Sequence, residues 1–498
     1  MTNARPLSQI LAVLVKNLLA LQVGMSLGFV TILIPPLTDV KSNEEIHLDE
    51  SQTSWISAIL PITSMTGSVL SGLVTEPFGR KRSMIFLTIP SLMTWIIFYF
   101  STEMWHIFAT LTLQGLTNGF IEAPILAYVS EVTEPHLRGV LSATTTLCTI
   151  LGVFLEFIVG SFLHWKVAAL ATGALPIIAF FLLLTIPESP HWLMSHNKPE
   201  EAQKSLGWLR GWTTSENVEE EFQELRKHFN KNLSDIENSA LEDGHSTVIS
   251  LIEAQTGGIK IYLKKSFLWP LSLTTFLFVW SGFAGILTLQ TYGVIIFATL
   301  EVPIDNYFAT VLLGCCQFLG SLLCMCIVRC LGKRILALTS VSGLCICNLC
   351  LGVYAYVNRI MHLDFTNVNT QSTPEGHQWI PFFLIIMLAF VGSCGPRNLP
   401  WTIIGEVFSN DTRGVGCGFA VGAFYLSTFV ANKVYLNMDS TLTFPGIYWA
   451  YACICFVGLA ALYFALPETE GKSLEEISEH FRGNVKLNNK VKRRATKA

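Results

Sequence analysis

Residues 131–139 read EVTEPHLRG and residues 406–414 read EVFSNDTRG, so a Glu stands seven positions before an Arg-Gly pair in both places. Two further pairs of motifs repeat in the same order along the chain. FGRKR at 78–82 is matched by LGKRI at 331–335, and PESP at 187–190 is matched by PETE at 467–470. Internal repeats of this kind indicate a duplicated bundle of helices with a site between its halves. The repeat therefore predicts two pseudo-symmetric halves.

The composition predicts that these halves lie in a lipid bilayer. Charged residues make up only 14% of the 498 residues, whereas soluble domains carry about 25%. The mean hydropathy is +0.49, and 51% of the residues are hydrophobic. The formal net charge of −4 gives no basic surface of the kind that binds nucleic acid. We therefore expect an all-α membrane protein with no nucleic-acid partner.

Twelve apolar runs are long enough to cross a bilayer, which requires about twenty residues as a helix. Their approximate bounds in the sequence are 10–34, 53–74, 83–101, 105–130, 139–161, 166–186, 268–298, 304–328, 333–357, 377–407, 413–436 and 444–465. They predict a first six-helix bundle over 1–186, a cytoplasmic helical linker over 187–267, a second bundle over 268–466 and a cytoplasmic tail over 467–498.

The short loops fix the predicted orientation, because cytoplasmic loops are enriched in Lys and Arg. Basic residues cluster at 80–82, 333–334 and 413, in one set of loops, whereas acids such as Glu44 and Glu301 predominate in the other set. The first set is predicted to be cytoplasmic, which also places both termini inside the cell. We expect a multi-pass protein of the plasma membrane that functions as a monomer.

The sequence offers little support for an enzyme. All thirteen cysteines fall in or beside apolar runs, which is typical of reduced thiols that pack in a core. Close pairs such as Cys345 and Cys347 have no His or second pair at a workable distance for a shared metal. We also find no nucleophile–base pair and no phosphate-binding loop. We therefore predict a protein without enzymatic activity, metal or cofactor.

Several motifs resemble those of the sugar porter family within the major facilitator superfamily. They are PETEGKSLEEI (467–477), PESPHWL (187–193), EPFGRKR (76–82) and the two repeats of Glu, six residues, Arg-Gly. Their order is closest to the insect facilitated glucose/trehalose transporter-like branch. The resemblance implies the major facilitator fold, with twelve transmembrane helices in two six-helix bundles. It also implies facilitative transport of a hexose or a trehalose-like disaccharide by alternating access.

The repeated charges predict a latch at the inner ends of the spans. Glu and Arg at neighbouring helix ends can pair when the halves close and separate when they open. Charges that only set the orientation of the spans in the membrane would explain one charged cluster, but not two copies with matching spacing. The resemblance implies an inner salt-bridge latch that comprises Arg80, Arg82, Glu131, Arg138, Lys333, Arg334, Glu406 and Arg413. We expect Glu131 near Arg82 and Arg138, and Glu406 near Arg334 and Arg413.

The resemblance also implies a substrate site between the halves. Matching positions give Thr146 in the fifth span, Tyr292 in the seventh, Gln317 in the eighth and Trp401 in the tenth, and Gln290 is a further polar candidate. The amide-rich signature that the family has in its seventh span is replaced here by SGFAGIL (281–287). Trp401 follows GPRNLP (395–400), where Gly and Pro predict a hinge beside the cleft.

Acidic residues within the spans indicate whether a proton gradient can drive transport. Proton-driven members of the family carry an acid in the first span, whereas that span here reads LLALQVGMSLGFVTILI. Passive transport is therefore the simpler prediction. Glu122 and Glu156 lie within spans, where an ionisable residue indicates a functional site by default, so a proton-coupled symporter remains an alternative. A second alternative is a non-transporting sugar sensor that keeps the fold.

Overall fold

A computed structural model describes residues 5–39, 42, 44–227, 262, 264–365, 376–408, 412–472, 474–482 and 487. These residues form helices and connecting loops, without a strand in the described part. The first six membrane-crossing elements are span 1 (Arg5–Thr38), span 2 (Glu50–Phe78), span 3 (Arg80–Phe100), span 4 (Met104–Val132), span 5 (Pro135–Phe162) and span 6 (Trp165–Thr172 with Ala174–Thr185).

The second six begin after the central segment. They are span 7 (Lys265–Phe283, Ile286–Thr291 and Gly293–Thr299), span 8 (Asn306–Leu331), span 9 (Lys333–Val357), span 10 (Trp379–Cys394 with Leu399–Val407) and spans 11 and 12, which form the one helix Arg413–Ala465. That helix bends at Thr443, where the backbone has φ 65°. The break separates span 11 from span 12.

The predicted number of twelve crossings agrees with the described helices. Ten helices are long and apolar enough to cross a membrane by length and composition, and one of them, Val415–Ala465, contains both spans 11 and 12. Span 4 is not among the ten. It nevertheless has 29 residues and packs against spans 2 and 3. Its buried polar residues, such as Gln114 and Asn118, lower its hydropathy while facing the protein interior.

Two spans are less regular than the sequence predicts. Span 7 was predicted as one helix over 268–298, but it breaks at Gly285, which has φ 85°, and again at Tyr292. Span 10 breaks between Cys394 and Leu399, where the Gly and Pro residues predict a hinge. Irregular backbone at membrane depth occurs where it is buried in protein or lines a cavity. Both breaks therefore mark the region in which a site can form.

The helix pairing repeats between the halves. Span 1 packs on span 5 and span 2 on span 4, and likewise span 7 packs on the Arg413–Ala465 helix and span 8 on span 10. Glycines allow this close approach. A Cβ built on Gly24 in span 1 would lie 3.0 Å from the Cα of Gly152 in span 5. Small residues at such crossings allow the backbones of membrane helices to pack tightly.

We define the basic end of the molecule as the end where Arg80, Arg82, Lys333 and Arg334 lie, and the other as the opposite end. Near the basic end, the short helices Pro190–Ser195 and Pro199–Leu209 follow span 6. The described part of the predicted linker 187–267 is thus mostly helical, while residues 228–261 lie outside the described part. The predicted domain boundaries remain predictions.

Candidate functional site

A central cavity of about 190 Å³ lies between the two halves. Its wall includes Thr146, Gln290 and Trp401, which are three of the five residues predicted for the substrate site. Glu122 and Arg397 also line it. The wall is largely apolar elsewhere, with a few polar groups that converge on the space. This combination is typical of a pocket for a small molecule.

The cavity is closed at the opposite end by hydrogen bonds between the halves. The Ser54 hydroxyl donates to the carbonyl of Lys433 over 2.7 Å, and the Thr31 hydroxyl donates to the carbonyl of Gln290 over 2.7 Å. Tyr292, another of the predicted substrate residues, belongs to this seal. Its hydroxyl donates to the Ser57 hydroxyl over 2.7 Å. Tyr292 is 1% exposed and does not line the cavity.

Trp401 lies on the short helix that follows the break in span 10. Its ring makes edge contacts with Phe278 of span 7, at 5.0 Å between ring centroids, and with Phe424 of span 11, at 5.6 Å. These two rings fix the orientation of the indole, which remains partly exposed to the cavity. A rigid aromatic surface of this kind suits the apolar C–H face of a ring-shaped solute.

Arg397 lines the cavity, although the sequence did not predict it as a site residue. The only sign of it was a basic residue within GPRNLP, a motif that we interpreted as a hinge alone. Its Nη1 donates to the side-chain oxygens of Gln290, over 2.6 Å, and of Gln317, over 3.2 Å. Gln317 is completely buried and lies outside the cavity wall. It therefore supports Arg397 in this structure and does not face the cavity itself.

The two intramembrane acids differ in position. Glu122 lines the cavity and accepts hydrogen bonds from the Ser68 hydroxyl, over 3.1 Å, and from the Tyr425 hydroxyl of the other half, over 3.2 Å. Glu156 is fully buried, accepts a hydrogen bond from Thr172 over 2.8 Å, and does not line the cavity. Of the two, only Glu122 can contact a solute in the cavity.

The charges of the predicted latch pair within each half. In the first half, Arg80 contacts Glu131 at 2.9 Å. In the second, Lys333 forms ion pairs with Glu406 and, at 3.2 Å, with Glu470.

The partners expected for the other latch residues differ from those in the structure. Arg334 donates to the carbonyls of Leu466, over 2.8 Å, and Tyr463, over 2.6 Å. Arg138 donates to the carbonyl of Thr133 over 3.4 Å. The side chain of Arg82 is exposed, and that of Arg413 lies outside the described part. A latch that joins the halves remains a prediction.

A second repeated contact explains the PESP and PETE motifs. Glu188 accepts hydrogen bonds from the backbone N–H groups of Arg80 and Lys81 at the start of span 3, over 3.0 and 2.9 Å. Glu468 accepts from Lys333 and Arg334 at the start of span 9, over 3.1 and 3.0 Å. A carboxylate at a helix N-terminus satisfies free N–H groups and complements the helix dipole. The repeated motifs thus cap equivalent helices.

Among the described residues, no group of three or more His, Cys, Asp or Glu side chains is arranged to hold a metal ion. The thirteen cysteines are free thiols. Among the described residues that line the cavity, the polar side-chain groups are amides, hydroxyls, the Trp401 indole, the Arg397 guanidinium and the Glu122 carboxyl. Such groups bind and orient a polar solute by hydrogen bonds.

Comparisons with known proteins agree with this geometry. The family described as "Sugar (and other) transporter" matches residues 13–481. The facilitated trehalose transporter Tret1 of Bombyx mori is 26% identical over 472 residues, covering 94% of this chain and 86% of that protein. The Tret1 protein of Polypedilum vanderplanki is 27% identical over 483 residues, covering 96% and 89%.

Solved structures show the same fold. The xylose transporter XylE of E. coli, in a partially occluded inward-open conformation, superposes with a TM-score of 0.71 at 18% identity, covering 93% of this chain and 99% of that one. The proton:xylose symporter XylE bound to 6-bromo-6-deoxy-D-glucose also gives 0.71, at 19% identity, covering 96% and 100%. The predicted major facilitator fold and the predicted sugar porter resemblance are confirmed.

Proposed function

The chain belongs to the sugar (and other) transporter family, and from this premise we propose that it carries a hexose or a trehalose-like disaccharide across the membrane by alternating access. It is a transporter and not an enzyme. The central cavity carries the proposal: it lies between two repeated halves, is closed at one end, and combines the indole of Trp401 with the amide of Gln290. Transport follows if the halves close at the basic end while the seal at the opposite end opens.

Passive transport is the better supported mode. Span 1 contains no acid between Leu18 and Ile34, so the position that proton-driven members of the family use is not ionisable here. Glu122 supports the alternative of proton coupling. It lines the cavity and accepts a hydrogen bond from Tyr425 in the other half, so its protonation state could bias the contact between the halves.

We further propose a plasma-membrane location with the basic end in the cytoplasm, since Lys and Arg mark cytoplasmic loops. Both termini then lie inside the cell. The complete cavity within one chain supports function as a monomer. The same cavity could serve a sensor that binds sugar without moving it, and only a flux measurement separates that alternative from a transporter.

Uptake into proteoliposomes tests the proposal. A panel of labelled monosaccharides and disaccharides is added to vesicles with and without an imposed pH gradient, and empty vesicles give the background. We expect saturable uptake of at least one sugar that stops at the external concentration. Accumulation above that concentration, abolished by a protonophore, would show symport. Binding without uptake would show a sensor.

A further inference from the structure

Arg397 places a positive charge in the wall of the central cavity. Its hydrogen bonds to side chains both start from Nη1 and both end on neutral amide oxygens, those of Gln290 and Gln317. No carboxylate oxygen of the described residues lies within 4.0 Å of its guanidinium. Because Arg has five N–H donors, Nε and Nη2 keep donors that no described side chain uses.

A cation in this position is costly unless a ligand compensates for it. Charged side chains within membrane spans are rare, face the interior and mark substrate pathways or binding sites. An Arg with a purely structural role in a span usually pairs with an acid or with backbone carbonyls. Among the described residues that line the cavity, Glu122 is the one acid. Its Oε2 accepts from the Ser68 and Tyr425 hydroxyls and not from Arg397. An anionic group of the solute can therefore supply the counter-charge for the Arg397 guanidinium.

We propose that Arg397 binds an acidic group of the transported sugar, so that the cavity takes hexuronates and other sugar acids in preference to neutral sugars. The inference rests on the proposed function, because it assumes that this cavity is the sugar site. The guanidinium is planar and can form two parallel hydrogen bonds with a carboxylate. Gln290 and Gln317 hold Nη1, which leaves Nε and Nη2 as such a pair.

The position of Trp401 supports a sugar acid over a simple carboxylate. It follows Arg397 by four residues and lines the same cavity. A hexuronate carries its carboxylate at one edge of a ring whose face is partly apolar. The ring can lie against the indole while the carboxylate reaches the guanidinium. A small acid without a ring would use only Arg397.

Binding to the purified protein tests the assignment separately from transport. Isothermal titration calorimetry compares D-glucuronate, its uncharged methyl ester and D-glucose. We expect D-glucuronate to bind about tenfold to a hundredfold more tightly than the ester, from the usual strength of a hydrogen bond to a charged group. Arg397→Gln should remove this difference. Lys204→Gln, at an exposed site on the helix Pro199–Leu209, is the matched control and should keep the difference.

The ester comparison uses the unmodified protein, so the test survives if Arg397→Gln does not fold. Equal affinity for D-glucuronate and its ester, tighter binding of D-glucose, or no binding of any of the three would overturn the proposal. An acid preference that persists in folded Arg397→Gln would also overturn it. Proteoliposome uptake then reports on the proposed function: uptake of D-glucose with no preference for the acid leaves transport intact and removes the role of Arg397. Tight binding of D-glucuronate without uptake of any sugar supports the role of Arg397 and removes transport.

Discussion

At the scale of single residues, Trp401 provides the clearest test of the cavity as a sugar site. Trp401→Ala removes the ring that Phe278 and Phe424 hold at the cavity wall. We expect uptake to fall at least tenfold, because stacking on a sugar face is lost, while the yield of folded protein stays near normal. Trp379→Ala, at the start of span 10 on an exposed site, is the control and should keep uptake. Full uptake by Trp401→Ala would exclude Trp401 from the site.

Gln317 is expected to act through Arg397. Its oxygen accepts from Nη1 of Arg397 over 3.2 Å, while its side chain is fully buried. Gln317→Leu should weaken the apparent affinity for the transported sugar by roughly tenfold, since a charged hydrogen bond is lost. Because the two residues form one network, combining Gln317→Leu with Arg397→Gln should cost little more than Arg397→Gln alone. Additive losses in the apparent KM would contradict this coupling.

The sequence could predict Trp401 but not Arg397. A large aromatic residue after a Gly–Pro break is a strong signal, whereas a single Arg within the break is compatible with a hinge, a topology anchor or a ligand. Tyr292 was placed in the substrate site because it matches a seventh-span Tyr of the family that the sequence resembles. Residues two positions apart on a helix are rotated by about 200° from each other, and Gln290 and Tyr292 lie at the end of the helix Ile286–Thr291. Gln290 therefore faces the cavity and Tyr292 faces the seal.

At the scale of the helices, the carboxylates of Glu188 and Glu468 are expected to stabilise the starts of spans 3 and 9. Each accepts two or more backbone hydrogen bonds there. Glu188→Ala and Glu468→Ala should each lower the free energy of unfolding by about 1 kcal/mol, as the loss of a helix cap does. Gln, which keeps an acceptor oxygen but not the charge, should cost less than Ala.

Thermal unfolding in detergent measures these changes. Glu479→Ala is the control, because its ion pair with Arg482 is exposed and such pairs contribute little. Gly79→Ala should also lower the melting temperature. Gly79 has φ 94°, and an added Cβ would lie 2.6 Å from Oε2 of Glu188. Equal melting temperatures for Glu468→Ala and Glu479→Ala would show that the cap has no role in stability.

The repeats PESP and PETE were visible in the sequence, but their role was not. The predicted latch used the acids Glu131 and Glu406. The backbone N–H groups that Glu188 and Glu468 bind are not visible in a pattern of side chains. Span 12 shows a similar limit. The sequence predicts a loop between 436 and 444, whereas the helix continues and departs from helical geometry only at Thr443. Apolar content predicts which residues enter the membrane better than it predicts where a helix ends.

At the scale of the whole molecule, the sequence predicted the number of spans, the duplication and the site between the halves, but not which end is closed. A transporter that alternates must be able to adopt more than one arrangement, so its sequence is compatible with each of them. The structure shows the arrangement in which Ser54, Ser57 and Thr31 of the first half contact the second half.

Fixing that arrangement should stop transport. Ser54 of span 2 and Lys433 of span 11 are joined by a hydrogen bond of 2.7 Å across the seal. Ser54→Cys and Lys433→Cys, introduced together after the four exposed native cysteines are replaced (Cys326, Cys330, Cys350 and Cys453), provide a site for a short thiol cross-linker. Once cross-linked, the halves cannot separate at the opposite end, so the cavity cannot open there. Uptake should fall to the level of empty vesicles and return when a cleavable cross-linker is reduced.

Each single cysteine variant, treated in the same way, is the control and should keep its uptake. Binding provides the second measurement, because the cavity itself is unchanged by the cross-link. The cross-linked protein should retain a central site that binds sugar from the basic end, so loss of uptake with retained binding separates a blocked conformational change from a damaged site. Undiminished uptake by fully cross-linked protein would mean that the seal between spans 2 and 11 does not open during transport, and alternating access through this interface would then be wrong.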